Sequence, residues 1–226
     1  MTTVSAEATA PASPVGEATV RRVVAISAGH SAVSSTGRLA ALLAEAGAGE
    51  LRLRGVRCET DHLELRTIAA DVVASLVDGV VRPTVSNAIA TVHGADALVI
   101  VTPTINASFS GLLKTFLDVL PPDALRSVPT TIAATGGTSR HTLMLDQALR
   151  PMLGYQRAVV LPCCLYVTAE EWDGPRPGQQ LAARIETAGR ELAAFALLDA
   201  VPGVRARTGA PWASSRTPGS ASSEPR

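Results

Sequence analysis

Serine and threonine hydroxyls are concentrated at residues 27–36, which read SAGHSAVSST. This stretch follows an apolar run and leads into a helical pattern, so its hydroxyls would lie beside the free N–H groups of a helix N-terminus. Such an end carries roughly half a positive charge and, together with hydroxyl donors, suits a phosphate group. The lysine of a triphosphate-binding loop and the GxGxxG of a dinucleotide fold are both absent, and an ordinary helix cap is the competing interpretation. The candidate phosphate-binding residues are Ser27, Ser31, Ser34, Ser35 and Thr36.

A second polar stretch, VTPTINASFS at residues 101–110, begins where a continuous apolar run ends. Proline offers no N–H to a sheet, so Pro103 is expected to stop the strand. Asn106 and Ser108 could cap the following helix and still present polar atoms to a ligand. A cap with no further role is an equal alternative for these two residues.

A third stretch, ATGGTSRH at residues 134–141, places Gly136 and Gly137 directly after a strand pattern. Paired glycines allow φ above zero and let the backbone approach a flat ligand closely, although a plain turn is the favoured interpretation of this motif alone. Thr138 or Ser139 could cap the next helix, which begins near His141. That histidine could face a ligand or only the surface. The candidate site residues here are Thr135, Gly136, Gly137, Thr138 and His141.

Apolar runs and helical patterns alternate along the chain, and this alternation predicts an α/β fold. The expected architecture is a doubly wound, five-stranded parallel sheet with helices on both faces. The predicted strands are residues 23–26, 51–56, 97–101, 130–134 and 158–161. The predicted helices are residues 36–46, 65–77, 112–120, 143–153 and 181–198, with one more after Pro83.

The three polar stretches each follow a predicted strand of this sheet. Ligands of doubly wound sheets bind outside the carboxyl ends of the strands, where the strand order reverses. We therefore expect the three stretches to converge at that edge. Their arrangement matches the position of flavin mononucleotide (FMN) in a flavodoxin-type sheet, with the phosphate in the first stretch and the ring between the other two.

The composition argues against several other classes of protein and site. Hydrophobic residues make up 46% of the 226 residues and the formal net charge is zero, so the chain can form a core but has no basic field for nucleic acid or an acidic membrane. No apolar run approaches the roughly 20 residues of a membrane span, and no secretory signal is visible. Three cysteines, an odd and sparse set, argue against a disulfide framework and favour the cytoplasm. The four histidines lack metal-ligand spacing.

The two ends of the chain are rich in small and polar residues and in proline. Such segments bury too little surface to offset the entropy lost on ordering. We therefore expect disordered tails at residues 1–20 and 203–226, on either side of one domain at residues 21–202.

The motifs SAGHSAVSSTGRLA, VTPTINASFSGLLKTFLDVLPPDAL and IAATGGTSRHTLMLDQALRPML resemble those of the NADPH-dependent FMN reductase family. More closely, they resemble FMN reductases that partner luciferase-like two-component monooxygenases, and the likeness covers about residues 23–198. The resemblance implies a flavodoxin-like fold that binds FMN and takes a hydride from NADPH or NADH. It assigns the phosphate to Ser31, Ser34, Ser35 and Thr36, the flavin ring to Pro103, Thr104, Ile105 and Asn106, and the pyrimidine edge to Gly136 and Gly137.

The function expected from this resemblance is NAD(P)H-dependent reduction of FMN, with reduced flavin supplied to a partner flavin-dependent monooxygenase. Ile105 stands where relatives commonly carry an aromatic residue, and weaker stacking there would suit an enzyme that releases reduced flavin. An FMN-bound quinone or azo-compound reductase is one alternative on the same fold. A non-enzymatic electron carrier is another, and the zero net charge speaks against the acidic docking face that a carrier uses.

A homodimer or homotetramer is also expected. Apolar side chains spread widely around the helix that follows the second stretch, and one sheet face can cover only some of them. The remainder would be an exposed patch, which usually marks an interface. The residues concerned are Phe109, Leu112, Leu113, Phe116 and Leu117.

Overall fold

The computed structural model describes residues 20–198, and apart from position 20 the two predicted tails lie outside these residues. The strands are β1 (Arg21–Ser27), β2 (Cys58–Glu64), β3 (Ala97–Ile105), β4 (Ser108–Phe109), β5 (Pro129–Gly136), β6 (Val159–Val160), β7 (Leu165–Thr168), β8 (Trp172–Asp173) and β9 (Arg176–Pro177). The helices are α1 (Ser35–Leu53), α2 (Ala69–Asp78), α3 (Pro83–His93), α4 (Gly111–Val119), α5 (Arg150–Tyr155) and α6 (Gln179–Leu197).

The main sheet confirms the predicted doubly wound topology. Its parallel strands lie in the order β2–β1–β3–β5, and the short strands β6 and β7 pair with successive parts of β5. Ser27 lies opposite Val101, and Pro103 lies opposite Thr135. The carboxyl ends of β1, β3 and β5 therefore meet at one edge, as the sequence predicts.

Two apolar layers cover the two faces of the sheet. Alternate residues of β1 point to opposite faces, so Val24 and Ile26 pack with α2 to α5 while Val23 and Ala25 pack with α1 and α6. Helices α1 and α6 lie so close that a Cβ added at Gly189 would come within 2.7 Å of Ala46. This tight layer holds α1 in place against the sheet.

The strand predicted at residues 51–56 is wrong. Helix α1 continues through Leu53, and the second strand is β2, at Cys58–Glu64. The buried residues Leu43 and Leu51 belong to the stripe of α1 that faces the sheet, whereas Leu53 is 83% exposed. Leu51 and Leu53 alternate with arginines in the sequence, and this alternation resembles that of a strand. The true edge strand, β2, is mostly polar and exposed.

The helix predicted at residues 143–153 forms in pieces. A 3₁₀ turn at Ser139–His141 is followed by a π-helical turn at Leu145–Leu149, and only then does α5 begin. π-Helical turns are rare, and they occur often next to functional sites.

The prediction that α4, the helix after the second stretch, exposes an apolar patch is also wrong. Leu113, Phe116 and Leu117 of α4 are at most 1% exposed, because α2 and the sheet cover them within the same chain. The exposed apolar face lies on α2 and its C-terminal end instead. It consists of Val73, Leu76, Val77 and Val80, which are 46–76% exposed, and we call it the α2 face.

Within residues 20–198, no helix is both long and apolar enough to cross a bilayer.

Candidate active site

A cleft of about 610 Å³ opens at the carboxyl ends of β1, β3 and β5. Its walls come from the loop before α1, the end of β3, the end of β5 and a segment after β7. The lining residues are Gly29, His30, Ser31, Val33, Ser34, Ser35, Thr36, Arg38, Pro103, Thr104, Thr135, Gly136, Gly137, Val167, Thr168, Ala169, Trp172 and Gly174. The structure thus brings residues from all three polar stretches together in one cavity.

The first wall is the N-terminus of α1. Ser34 is the N-cap, and its Oγ accepts hydrogen bonds from the N–H groups of Thr36 at 3.1 Å and Gly37 at 3.4 Å. The hydroxyl of Thr36 lies 2.7 Å from that of Thr135 and ties this wall to β5. Ser31 and Ser35 are exposed at the mouth of the cleft. Together these groups form an end of the cleft that is rich in donors and suits an anion.

Ser27 lies beneath this wall and does not line the cleft. It is buried at the end of β1, where its Oγ lies 2.9 Å from Nε2 of His62 on β2. Partial burial lowers the pKa of His62, which favours the neutral imidazole. This contact links β1 and β2 directly below the first wall.

The second wall is the end of β3 and its hairpin. Pro103 lies within β3, which runs on to Ile105, so the prediction that the proline stops the strand is wrong. Asn106 and Ala107 have φ of 49° and 62° and form the turn into β4. Positive φ at both central residues is typical of a type I′ hairpin, and asparagine is among the residues that tolerate it best.

The prediction that Asn106 or Ser108 caps the next helix is wrong as well. Helix α4 is capped by Ser110, whose Oγ accepts from the N–H of Leu112 at 3.2 Å. The Nε2 of His30 lies 3.1 Å from the same hydroxyl, so Ser110 connects the first wall to the second. Pro103 and Thr104 line the cleft, whereas three predicted binding residues of this stretch do not. Those three are Ile105, Asn106 and Ser108.

The third wall is the glycine pair at the end of β5. Neither Gly136 nor Gly137 has a positive φ, so the expected use of glycine for a left-handed backbone is wrong. Gly136 is needed for space instead, because a Cβ there would lie 2.0 Å from the hydroxyl oxygen of Tyr166. A Cβ at Gly137 would meet no atom within 4 Å and would project into open space beside the cleft.

Thr138 and His141 lie just beyond this wall and do not line the cleft. The side chain of Thr138 caps the 3₁₀ turn at Ser139–His141 by accepting from the N–H of Arg140 at 3.4 Å. This agrees with the predicted capping role of Thr138. His141 is half-buried at the end of the same turn.

The fourth wall was missed by sequence reasoning. It is formed by the end of β7 and by the β8–β9 hairpin, and Trp172 is its largest side chain. The guanidinium carbon of Arg38 lies 5.1 Å from the centre of the indole ring of Trp172. Arg38 stands one helical turn after the N-cap Ser34 and so shares its face, which is the sequence signal that could have found it.

Residues 21–173 match the model of the NADPH-dependent FMN reductase family. The chain belongs to this family.

Similar proteins of known activity agree with this assignment. The chain is 34% identical over 174 residues to a protein of Pseudomonas aeruginosa named FMN reductase (NADPH), an alignment that covers 76% of this chain and 90% of that protein. It is 38% identical over 169 residues to the NADH-dependent FMN reductase SfnE of Pseudomonas putida, covering 74% and 87% of the two chains. The chain is therefore an NAD(P)H:FMN oxidoreductase.

Solved structures of related enzymes have the same fold. An oxidoreductase from Corynebacterium diphtheriae superposes with a TM-score of 0.75 and 37% identity, covering 80% of this chain and 98% of that one. The apo form of the NADH:FMN oxidoreductase EmoB superposes with a TM-score of 0.67 and 28% identity, covering 82% and 94%.

The cleft of this FMN reductase fits FMN on chemical grounds. The first wall offers hydroxyls and the positive end of a helix for a phosphate, while Gly137 leaves room for a flat ring. The hydroxyl oxygen of Thr104 is buried at the second wall without a hydrogen-bond partner among the described residues. Buried hydroxyls are rarely left unpaired, so this atom marks a place where a ligand can supply the missing bond.

Thr104→Val should stabilise the flavin-free enzyme and weaken its binding of FMN. An unpaired buried hydroxyl costs about 1–3 kcal/mol, so removing it should raise the free energy of unfolding. Losing one hydrogen bond to the flavin should raise the Kd for FMN by about threefold to tenfold. Urea unfolding and flavin fluorescence titration measure the two effects.

Thr131→Val is the matched control for this prediction. Thr131 lies on β5, its hydroxyl is also buried without a partner among the described residues, and it does not line the cleft. This variant should gain stability with no change in the Kd for FMN. An unchanged Kd in Thr104→Val as well would contradict the proposed role of Thr104.

Proposed function

We propose that this enzyme reduces FMN with NAD(P)H and releases the reduced flavin to a separate flavin-dependent monooxygenase. The observation that carries the proposal is the absence of an aromatic side chain at the ring end of the cleft, among the residues that the structure describes. Pro103, Thr104, Gly136 and Gly137 form the walls there, and Ile105 turns away into the hairpin. Aromatic stacking adds binding energy beyond the area that it buries, so its absence favours release.

In this proposal the first wall holds the phosphate of FMN. Ser31, Ser34 and Ser35 hold the phosphate with hydroxyl and backbone donors at the α1 N-terminus. The bond between Thr36 and Thr135 keeps the phosphate end in register with β5. Bound FMN is the electron acceptor for NAD(P)H, and the protein supplies its orientation and electrostatic surroundings.

The experiment that tests the proposal is an acceptor series. NADPH and NADH oxidation is measured with FMN, FAD, riboflavin and a quinone in turn. We expect FMN to behave as a saturable, exchangeable substrate, and reduced FMN to support a luciferase-type monooxygenase held behind a dialysis membrane. Enzyme that retains its flavin through gel filtration and prefers the quinone would instead support the alternative, a quinone or azo-compound reductase.

We also propose that the enzyme self-associates through the α2 face. The apolar side chains at positions 73, 76 and 77 follow the i, i+3, i+4 spacing of one helical stripe, and Val80 lies just beyond the left-handed C-cap Gly79. The nearest charges are already paired, since Arg82 and Asp78 form a 2.5 Å salt bridge. Contiguous apolar surface of this kind usually marks an interface.

Val77→Lys should lower the molar mass of the oligomer, because it places a charge at the most exposed position of the α2 face. Multi-angle light scattering at micromolar protein measures this mass. Leu53→Lys is the control, since Leu53 is 83% exposed but lies apart from that face at the end of α1. A monomeric parent protein would refute self-association altogether.

A further inference from the structure

The proposed FMN site makes no use of the fourth wall of the cleft. That proposal places the phosphate at Ser31 to Ser35 and the ring at Pro103 and Gly137. Trp172 and Gly174 of the β8–β9 hairpin face the cleft next to α1 instead. This wall therefore borders space that a second ligand could use.

Arg38 carries the only arginine or lysine charge among the described residues that line the cleft, and no aspartate or glutamate lines it. Its guanidinium lies over the indole of Trp172, and one N–H group donates to the carbonyl oxygen of Gly174 at 3.4 Å. It forms no salt bridge with the described residues. Since an arginine has five N–H donors, most remain available to a ligand.

The arrangement favours a phosphate monoester as that ligand. A guanidinium presents a planar fork that matches phosphate oxygens, and stacking on an aromatic ring fixes the plane of the fork before the ligand arrives. Trp172 is half-buried and packs against the core layer of α1 and α6, so the position of its ring is fixed by the fold. The pair is thus a preorganised anion-binding group.

We propose that Arg38, held by Trp172, binds the 2′-phosphate of NADPH and makes the enzyme prefer NADPH to NADH. This inference rests on the NAD(P)H-dependent reduction of FMN described above. The two nucleotides differ only in that phosphate, so a cation without a carboxylate partner is the group that can distinguish them. Trp172 is a positioning residue, since it acts through Arg38.

The phosphate of FMN is the other phosphate monoester in the reaction. The hydroxyls of the first wall and the positive end of α1 already match it. Arg38 lies one turn farther along α1, and its side chain contacts the β8–β9 hairpin. The geometry therefore points to the nicotinamide nucleotide as the partner of Arg38.

A binding experiment tests this without turnover. Trp212→Phe leaves Trp172 as the only tryptophan of the chain, so its emission reports on ligands at Arg38. We expect NADP⁺ to change this emission in the flavin-free protein with a Kd about tenfold lower than that of NAD⁺, the size of one charge-assisted contact. Arg38→Gln in this background should abolish the difference. Arg176→Gln, an exposed arginine of the same hairpin that does not line the cleft, should preserve it.

Kinetics separate positioning from general damage. Arg38→Gln should raise the KM for NADPH about tenfold and that for NADH far less. Trp172→Leu should reduce the same preference, and Trp172→Phe should restore part of it, whereas simple structural damage would affect both nucleotides equally.

Three results would overturn the proposal. The first is equal affinity of the parent protein for NADP⁺ and NAD⁺, and the second is an unchanged preference in Arg38→Gln. The third is an Arg38→Gln protein that loses affinity for FMN but not for riboflavin, which would assign the guanidinium to the flavin phosphate. If no nucleotide is oxidised with FMN, the proposed function fails, but the binding comparison still decides the role of Arg38.

Discussion

The Gly137→Val protein should fold like its parent and lose FMN-dependent NAD(P)H oxidation. A Cβ added at Gly137 meets no protein atom within 4 Å and the backbone φ is not positive, so we expect neither a clash nor strain in the free protein. The same side chain would occupy the space proposed for the flavin ring. Any backbone donor aimed at the reduced ring would also be displaced, and such donors are worth roughly 3–4 kcal/mol in a catalytic step.

Activity assays, FMN titration and thermal unfolding together measure this prediction. Gly154→Val is the matched control, because Gly154 also has open space around its Cα but lies on α5, away from the cleft. Gly136→Ala would be uninformative, since its Cβ would clash with Tyr166 whether or not flavin binds there. A stable Gly137→Val enzyme with normal turnover would show that the glycine pair is only a turn.

FMN should bind at least about tenfold more tightly than riboflavin, because each charge-assisted hydrogen bond to the phosphate contributes roughly 1.5–3 kcal/mol. In the proposed site the first wall supplies these bonds, and no aromatic side chain among the described residues lines the proposed ring end. Quenching of flavin fluorescence gives both dissociation constants. Equal constants for the two flavins would refute the phosphate anchor.

Ser35→Pro should reduce the difference in affinity between FMN and riboflavin without unfolding α1. Ser35 is the first residue of the helix, a position where proline is well tolerated because its N–H has no intrahelical acceptor. The preceding residue, Ser34, has φ of −118° and ψ of 129°, a conformation that residues before proline prefer. The substitution removes one hydroxyl and one backbone donor, so FMN should lose affinity while riboflavin keeps its own. Circular dichroism checks that the helix remains.

The buried strands and the three polar stretches could be predicted because their signals are local. Residues 97–101 and 129–135 are buried on both faces and therefore appear as continuous apolar or small runs. Strand β2 could not be found in this way, because it lies at the sheet edge with Glu59 and Asp61 exposed. Helix α4 was misjudged because a sequence does not show that α2 will cover its second apolar side.

Contacts within the site depend on the tertiary fold and could be predicted less well. Gly136 was predicted to let the backbone approach a flat ligand. The structure shows a different close neighbour, Tyr166 of β7, whose position follows from strand pairing. Neither Arg38 nor Trp172 belongs to a recognisable sequence motif. The two side chains form a pair only because the β8–β9 hairpin lies beside α1 in the folded protein. The residue types in the three polar stretches were enough to predict that these loops form the cleft. Which of their side chains face the cleft depends on tertiary packing and could not be predicted.

The bond between Thr36 and Thr135 joins residues 99 positions apart, and this separation has a kinetic consequence. Closing so long a loop costs chain entropy before the contact is made, so the cleft is expected to assemble late in folding. On the ribosome, its third wall does not exist until the chain has been synthesised past Gly137. Flavin that binds only the finished cleft cannot nucleate folding, so it prolongs the lifetime of the native enzyme without hastening its formation.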